Sequence, residues 1–497
     1  MNSLLSRNSS RVGADEKRWF VLALIVAAQF MVVLDIAIVN VALPSIRTDL
    51  HFSQESLQWV VTAYAILFGG VLLLGGRLSD LLGRRRLFVT GIALFAVASL
   101  LAGLSWSEGS LITFRALQGL GGALLSPAAL SILTTVFREG RERNIALGVW
   151  GAASGSGGAA GVLLGGALTT YLSWSWIFFI NVPVAATIIL LTPFLLRESR
   201  GEIGHRHFDV AGAATVTSSL MLLVYAMTRA TERGWSDSVT VATLAASAAL
   251  ALSFVVIELR SKAPLLPLRI FRLRTLSAAN GTAVLLSSAV FSQFFLLTLY
   301  MQEVLHYSAI KTGVAYIALT VSIVGFSAVA QGLTTRVGAR RVLPAGLLLS
   351  AAGLVLYARL PVDGHYFWDV FPAFLLSGVG LALAFVPVQI ASLTGVRPAE
   401  AGAASGLINT SQQVGGAVGL AAATTIATTF TNHYVDAHVG VSAFSGSALT
   451  HGFGIAFYVL AALAALGAVV AAVFVESKPA TPETEAIEGE VVLEAAA

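Results

Sequence analysis

The chain has 497 residues, of which 56% are hydrophobic and only 11% are charged, and its mean hydropathy is +0.82. An ordinary soluble domain has about 25% charged residues, so this composition excludes a soluble globular protein and indicates one that crosses a membrane many times. The net charge of +4 does not indicate nucleic-acid binding, because the basic residues are dispersed over short loops. The absence of cysteine excludes disulfides, thiol chemistry and Cys-based metal sites.

Apolar runs of membrane length recur along the chain, and we count about fourteen. After a short tail at 1–18, six predicted helices form a first bundle over 19–197. They lie at about 20–44, 57–76, 87–106, 110–135, 144–170 and 175–196. Two additional helices, at about 209–229 and 237–258, occupy the segment 198–260.

Six further helices are predicted over 261–476. The expected fold class is therefore an all-α polytopic membrane protein with two six-helix bundles and two central helices. The tail at 477–497 has several glutamates and no apolar periodicity, and is predicted to be disordered.

An even number of crossings places both termini on one side. Most of the 30 Lys and Arg residues fall on that side, which the positive-inside rule makes cytoplasmic. The predicted location is the cytoplasmic membrane, where the basic loops contact lipid.

An internal repeat links the two bundles. Six residues of the segment 142–161 recur in register over 400–419. Glu142, Ala146, Gly148, Gly157, Gly158 and Gly161 recur as Glu400, Ala404, Gly406, Gly415, Gly416 and Gly419. The segment 78–86 recurs over 333–341, although Thr335 replaces Asp80. Two repeats of parallel orientation place a substrate path between them, and rocking of the two halves then gives alternating access.

Two ionisable residues lie deep inside predicted helices. Asp35 is about nine residues before the outer end of the first helix and Arg115 is about six residues into the fourth, so their levels differ by about one helical turn. Burial disfavours the charge of Asp35 and a nearby Arg115 favours it. The carboxylate is therefore poised to take up a proton in one conformation and release it in another. Intramembrane charges usually serve a function, but a static ion pair that only fixes helix packing is the alternative.

The segment 76–87, GRLSDLLGRRRL, resembles the loop between the second and third helices of the major facilitator superfamily. Further matches are LDIAIVNVALPSI from Leu34, LITFRALQGLGGA from Leu111, GAAGVLLGG from Gly158 and SWIFFINVP from Ser175. Together with the two central helices, these segments resemble the fourteen-helix drug:proton antiporter group of that superfamily. The resemblance implies the superfamily fold and proton-coupled export.

The resemblance also implies roles for two motifs. A conformational latch that holds the two halves together is formed by Gly76, Asp80, Gly83, Arg84, Arg85 and Arg86. A gating role falls to the antiporter motif of the fifth helix, represented by Gly157, Gly161, Gly165 and Gly166. Glycines four residues apart let a neighbouring helix pack closely. Two residues depart from the group, because Ala37 replaces the usual Thr and Val162 replaces the usual Pro, whose absence removes a built-in kink.

Polar and aromatic residues on the inner helices are candidates for an amphipathic substrate cavity, although each alone is also explained as a helix contact or an interfacial anchor. They are Gln29, Asn40, Gln58, Tyr64, Trp150, Gln293, Phe294, Tyr300, Asn409 and Gln413. His205 and His207 lie near Asp209 in a loop, with a spacing too generic to indicate a metal site. No catalytic residue, metal or other cofactor is expected.

These features predict an antiporter that exports amphipathic small molecules or drugs in exchange for protons, with the proton gradient as its energy source. We expect it to act as a monomer and without enzymatic activity. A dedicated exporter of one endogenous metabolite or antibiotic is the nearest alternative, and a nontransporting membrane sensor is a weaker one. An ATP-driven pump is disfavoured because the chain lacks the phosphate-binding G-x-x-x-x-G-K-[ST] loop.

Overall fold

The computed structural model describes residues 2–137, 139–199, 209–261 and 264–476. In these ranges the chain forms helices and no strand. The long helices are α1 (Asn2–Asp49), α2 (Trp59–Leu82), α3 (Arg84–Gly103), α4 (Glu108–Val136), α5 (Arg141–Tyr171), α6 (Asn181–Leu195), α7 (Val210–Arg233), α8 (Ser238–Arg260), α9 (Arg274–Leu299), α10 (Ile317–Val337), α11 (Ala339–Tyr357), α12 (Phe371–Ser392), α13 (Ala401–Ala437) and α14 (Gly446–Phe474).

Thirteen spans of the described chain are long and apolar enough to cross a membrane. Helix α5 bends by 41° next to Gly158 and makes a fourteenth when it is counted as one crossing. The predicted all-α polytopic fold class is thereby confirmed. The tail predicted to be disordered at 477–497, and the loop with His205 and His207, lie outside the described residues.

Short polar side chains start several helices at the positions where the sequence offers them. Ser107 begins α4 with a capping box, in which its hydroxyl accepts from the Ser110 amide (3.2 Å) and the Ser110 hydroxyl accepts from the Ser107 amide (3.0 Å). The side chains of Asp209 and Asp237 cap α7 and α8, because each accepts a hydrogen bond from a backbone amide in the first turn of its helix. Such caps satisfy amide groups that have no partner in the first turn. They fix the central helices close to the predicted starts at 209 and 237.

Helix α1 is longer at both ends than the predicted span of about 20–44. It begins at Asn2 and continues past Pro44 to Asp49. Pro44 removes only its own amide donor from the ladder, and the Thr48 hydroxyl donates to the Pro44 carbonyl (3.0 Å). Apolar periodicity locates the part of a helix that crosses the membrane and not the polar turns that extend it.

The internal repeat is visible in the way the helices pack. In the first half α5 packs on α1, and a Cβ at Gly161 would lie 2.7 Å from the Ala37 side chain. In the second half α13 packs on α9, and a Cβ at Gly419 would overlap the backbone of Ser288. The recurring glycines therefore permit the same close helix crossing in both halves.

A further repeated element lies in the turns after α1 and after α9. Leu50-His51-Phe52-Ser53 follows the first helix and Leu305-His306-Tyr307-Ser308 follows the ninth. His51 and His306 have φ angles of 57° and 52°, in the left-handed region, and the serine of each turn caps the next short helix. A left-handed residue other than glycine is uncommon, so its recurrence at matched positions supports the duplication. The comparison of the two halves by sequence alone did not identify this pair of turns.

Two helix pairs make the largest contacts between the halves, α2 with α13 and α5 with α10, and smaller contacts join α4 to α13 and α5 to α12. Helices α7 and α8 pack on each other, and α7 also contacts α2 and α13. Trp235, between α7 and α8, donates its indole N–H to the Thr425 hydroxyl of α13 (2.8 Å). The central pair thus lies beside the α2–α13 seam. The boundaries 19–197, 198–260 and 261–476 stay a prediction.

We expect Gly161→Val and Gly419→Val to lower the thermal unfolding midpoint of the detergent-solubilised protein, because each adds a side chain where a neighbouring helix already lies. Overpacking of this kind costs about 1–3 kcal/mol. Gly325→Val on α10 is the matched control, since nothing outside its own helix lies within 4 Å of a Cβ at this position. Equal midpoints for all three variants would contradict the close crossings.

Candidate functional site

Asp35 of α1 and Arg115 of α4 form an ion pair inside the first half. Arg115 Nη1 donates to Asp35 Oδ2 at 2.6 Å, and the two residues are 0% and 1% exposed. The sequence predicted that they lie at similar depth, within about one helical turn of each other. The structure brings them into direct contact, but buried among helices and not in an open cavity. Their role in proton transfer stays a prediction.

Three neutral side chains complete the surroundings of Asp35. Its Oδ1 accepts from Gln118 Nε2 (2.7 Å) and from Asn181 Nδ2 (2.9 Å). Ser99 Oγ accepts from the same two nitrogens, at 2.6 and 3.2 Å. We call Ser99, Gln118 and Asn181 the amide cradle. Sequence reasoning missed it as a site, although Gln118 and Asn181 lie in the quoted segments LITFRALQGLGGA and SWIFFINVP.

Arg115 is held on its other sides by α2 and by aromatic rings. Its Nε donates to the Val60 carbonyl (3.0 Å) and its Nη1 also donates to Gln118 Oε1 (2.6 Å). The guanidinium lies 4.3 Å from the Tyr64 ring centroid and 5.7 Å from that of Phe178. Tyr64, predicted to line the substrate cavity, is instead a buried neighbour of this ion pair. Removing one partner of such a pair leaves an uncompensated buried charge, at a cost of about 3–5 kcal/mol.

The predicted latch crosses between the two halves at α2 and α13. Asp80 is fully buried, and its oxygens accept from the backbone amides of Gly402 (3.1 Å) and Ala403 (3.2 Å) at the start of α13. Arg84 donates to Asp80 Oδ1 (3.1 Å) and to the Pro398 carbonyl just before α13. A carboxylate is favoured at a helix N-terminus, where amides lack intrahelical partners. The basic face, defined as the end of the molecule that carries Arg84, Arg85 and Arg86, is therefore closed at this seam.

The other latch residues have separate tasks. A Cβ at Gly76 would overlap the Gly402 carbonyl oxygen, so this glycine lets α2 and α13 cross closely. Gly83 separates α2 from α3 with a φ of 113°, which favours glycine. The backbone amides of Arg85 and Arg86 donate to the Glu198 carboxylate after α6, both at 3.2 Å. Arg85 and Arg86 thus anchor the loop within the first half, and Asp80 and Arg84 reach the second.

The second copy of the latch also crosses the interface. Thr335, which replaces Asp80 in the repeat, accepts from Asn144 Nδ2 of α5 at 3.1 Å. Asn144 occupies the repeat position of Gly402. The second copy therefore keeps its position between the halves but lacks the acid, and one neutral hydrogen bond stands where the first copy has a charged contact.

The antiporter-motif glycines face two directions. Gly157, Gly161 and Gly165 pack against α1, as their spacing predicted. Gly166 faces Ile310, in the short helix Ala309–Ala315 of the other half, at 3.4 Å from a would-be Cβ. Three of the four glycines therefore contact α1 within the first half, and one contacts the second half. A gating role for the motif stays a prediction.

Three polar residues from three helices meet near the centre of the molecule. Ser126 of α4 donates to Gln29 Oε1 of α1 (2.7 Å) and lies 3.4 Å from Asn409 Oδ1 of α13. Gln29 and Asn409 are two of the predicted cavity residues, and the structure places both at the contact between the halves. Ser126 was not predicted.

The remaining cavity candidates are dispersed. Gln293 is buried with its Nε2 unpaired, and Phe294 stacks on Tyr316 at 5.3 Å. Trp150 and Tyr300 are fully buried, and Tyr300 donates to the Pro361 carbonyl (2.7 Å), which indicates packing and not an open cavity wall. Asn40 and Gln58 are exposed and Gln413 is half-buried.

Each half has one ion pair that involves a repeated glutamate. Arg18 contacts Glu142 at 2.7 Å, and Arg269 contacts Glu400 through its Nε at 3.0 Å. Glu142 and Glu400 are the repeated acids noted in the sequence. Among the described residues, no three His, Asp or Glu side chains are grouped so that they could hold a metal ion.

Asp237, outside the membrane-spanning helices, is a useful contrast to Asp35. The hydrogen bond from Arg229 (2.7 Å), with further bonds from Thr240, lowers the pKa of Asp237 to about 2. This carboxylate is therefore ionised throughout the physiological pH range and does not exchange a proton there.

Comparison with known proteins decides the family. The sequence model of the Major Facilitator Superfamily matches residues 25–420. The chain belongs to the Major Facilitator Superfamily. The family consists of transporters, which indicates that this facilitator is a transporter and not a catalyst.

Similar facilitators include proteins named for antibiotic resistance or export. The puromycin resistance protein pur8 of Streptomyces alboniger is 40% identical over 469 residues, which are 94% of this chain and 93% of that protein. The cephamycin export protein CmcT of Amycolatopsis lactamdurans is 39% identical and covers 88% of this chain and 93% of its own length. The human organic anion transporter MFSD10 shares the fold, with a TM-score of 0.63 at 16% identity over 91% of this chain and 99% of its own.

We expect Asp80→Asn to open the basic face, because it removes the charge that the α13 amides and Arg84 share. Hydrogen bonds to charged groups contribute about 1.5–3 kcal/mol, so the opening equilibrium should shift about tenfold or more. The chain has no cysteine, so spin labels attached at Leu82→Cys and Arg397→Cys, both exposed at this face, report the separation of α2 from the segment before α13.

Asp237→Asn is the matched control, because it removes an ion-paired carboxylate away from the interface. A longer-distance population that appears in D80N and not in D237N is the expected result. Identical distance distributions for D80N and wild type would refute the latch.

Proposed function

We propose that this facilitator is a proton-coupled antiporter that exports amphipathic small molecules or drugs by alternating access. The observation that carries the proposal is the fully buried Asp35–Arg115 pair, in a family whose similar members are named for antibiotic resistance and export. A charge in the membrane interior is costly and usually serves transport. The proton gradient is the proposed energy source, and we infer that the transporter acts as a monomer in the cytoplasmic membrane.

In this proposal the basic face is cytoplasmic, as are both termini. With the latch closed between α2 and α13, the protein is closed toward the cytoplasm. Asp35 takes up a proton from outside, the protonated protein opens toward the cytoplasm, and proton release there accompanies substrate loading. Because Asp35 is 0% exposed here, each proton exchange requires a conformation other than this one.

Helix α2 offers a physical link between the ion pair and the latch. Arg115 bonds to the carbonyl of Val60, the second residue of α2, and Asp80 lies near the opposite end of the same helix. The 20 residues between them span about 30 Å at 1.5 Å per residue. Protonation of Asp35 removes the charge that holds Arg115 against α1, so Arg115 is free to shift together with α2, to which it stays bonded through Val60. A displacement of α2 acts directly on the Asp80 contacts.

The substrate path passes between the halves, and the Gln29–Ser126–Asn409 contact is the part of it that combines both halves. The uncharged polar groups there suit a molecule that is largely apolar with a few polar groups. The described helices α9 to α14 of the second half contain no buried Asp or Glu. This favours neutral, zwitterionic or monovalent substrates over multivalent cations.

A dedicated exporter of one metabolite or antibiotic is the second candidate. The names of the similar proteins favour it, since puromycin and cephamycin each appear as a single compound. Substrate breadth in one transport assay separates the two candidates. A nontransporting sensor is disfavoured because it has no need of a buried ion pair and a latch.

We expect Asp35→Asn to abolish coupling, because Asn keeps the shape of the side chain but cannot exchange a proton. The variant loses stability but stays folded, since Arg115 keeps its acceptors at Val60 and Gln118. Purified protein is reconstituted in liposomes with an imposed pH gradient, and puromycin or a fluorescent lipophilic cation is added. Wild type should accumulate the probe and dissipate the gradient, and D35N should do neither.

Asp237→Asn serves as the control that removes a carboxylate which stays ionised. Retained gradient-driven accumulation in D35N would refute Asp35 as the proton carrier. Absence of coupled flux in wild type with several chemically different probes would refute drug:proton antiport.

A further inference from the structure

The amide cradle around Asp35 is built for one protonation state. A carboxylate is acceptor-only when ionised and becomes a donor at one oxygen when protonated. Arg115, Gln118 and Asn181 all present N–H groups to Asp35. Each amide nitrogen also gives a hydrogen to Ser99, so both hydrogens of each amide are used and both amides face Asp35 with their nitrogens. This arrangement matches the ionised form.

Protonated Asp35 needs an acceptor, and only one of the three side chains bonded to it can readily supply one. Gln118 is fixed in orientation because its oxygen accepts from Arg115 at 2.6 Å. Arg115 has no acceptor. Asn181, in the described contacts, bonds through its nitrogen alone. A half-turn of its amide group exchanges the nitrogen for the oxygen and turns a donor to the carboxylate into an acceptor for the carboxylic acid.

The position of Asn181 in the chain favours this response. It directly follows Ile180, whose backbone is helical, within the continuous span Trp176–Leu195, so its amide can turn about the side-chain bonds without a change in the backbone. The titratable groups next to Asp35 are Arg115 of α4 and Tyr64 of α2. The described residues of α3, α5 and α6 contribute Ser99, Asn181 and aliphatic or small residues there, with no further ionisable group.

We propose that Asn181 is a positioning residue that stabilises Asp35 in both protonation states, donating to the carboxylate and accepting from the acid. The inference rests on the proposed function, because it assigns the residue that sets the pH at which the carrier takes up its proton. Loss of Asn181 costs the ionised form more than the acid, because a hydrogen bond to a charged group is about twice as strong as a neutral one. Without Asn181, Asp35 therefore remains protonated at higher pH.

We expect Asn181→Leu, which keeps the size but removes the polar atoms, to raise the pH midpoint of probe exchange by about one unit, since a hydrogen bond to a charged group is of the order of one pKa unit in free energy. Exchange is measured in liposomes with equal pH on both sides, from pH 5 to 9. Infrared difference spectra follow the carboxyl band of protonated Asp35, identified by its loss in D35N, and give the same midpoint without transport.

Asn280→Leu is the matched control, because Asn280 is a buried amide of α9 that bonds to Ser411 and not to Asp35. Ser99→Ala is the second variant, used because it is a small change that folding tolerates. It frees both amides to turn, and a smaller upward shift is expected. A raised midpoint in N181L or S99A, with none in N280L, supports the proposal.

Two outcomes overturn it. A lower maximal rate at an unchanged midpoint in N181L means a purely structural role, and if N181L does not fold, an unchanged midpoint in S99A has the same meaning. These results leave the proposed function intact when wild type is coupled and D35N is not. Failure of that function is recognised separately, by coupled exchange in D35N or by none in wild type.

Discussion

A charged carboxylate in the membrane interior has to be matched by hydrogen-bond donors, and the first half is organised around this requirement. Asp35 of α1 receives donors from α4 and α6, and Ser99 of α3 fixes both amides. Arg115 then extends the network to α2 through the Val60 carbonyl. Five helices are thus joined by one carboxylate. Because desolvating an unpaired ion costs several kcal/mol, these helices move together or the network breaks.

The second half has the same helix crossings without the charges. Gly161 contacts Ala37 of α1, and its repeat partner Gly419 contacts Ser288 of α9. Ala37 and Ser288 are therefore equivalent positions. Two residues earlier in each helix, Asp35 corresponds to Leu286. In the same way the glycines of α4 and α12, at 119 and 378, contact α2 and α10 at equivalent points, which aligns Arg115 with Phe374. Leu286 and Phe374 are buried, and Phe374 packs on Tyr316 and Tyr357. An aromatic core therefore occupies the place of the ion pair, and among the described residues only the first half carries an ion pair at this position.

Sequence reasoning predicted the helices, the repeat and the depth of Asp35 and Arg115, because hydrophobic length and helical rise are local quantities. It did not predict the amide cradle, since Ser99, Gln118 and Asn181 lie on three helices and none is unusual in its own segment. The latch motif was visible, but the donors that Asp80 binds were not, because they are backbone amides and the backbone has no sequence signature. Tyr300 and Trp150 are buried in this conformation, which sequence reasoning did not predict because residue type alone does not separate a packed ring from an exposed one.

The two seams between the halves are held with unequal strength, and this inequality determines how the basic face opens. At the α5–α10 seam the repeat supplies one neutral bond, from Asn144 to Thr335. At the α2–α13 seam a buried carboxylate meets a helix N-terminus and an arginine, and charge-assisted bonds of this kind are about twice as strong as neutral ones. The α2–α13 seam is also the one that α7 packs beside and whose α2 is bonded to Arg115. The strongest contact between the halves and the titratable centre thus share one helix, so a change at Asp35 acts first on the seam that resists opening most.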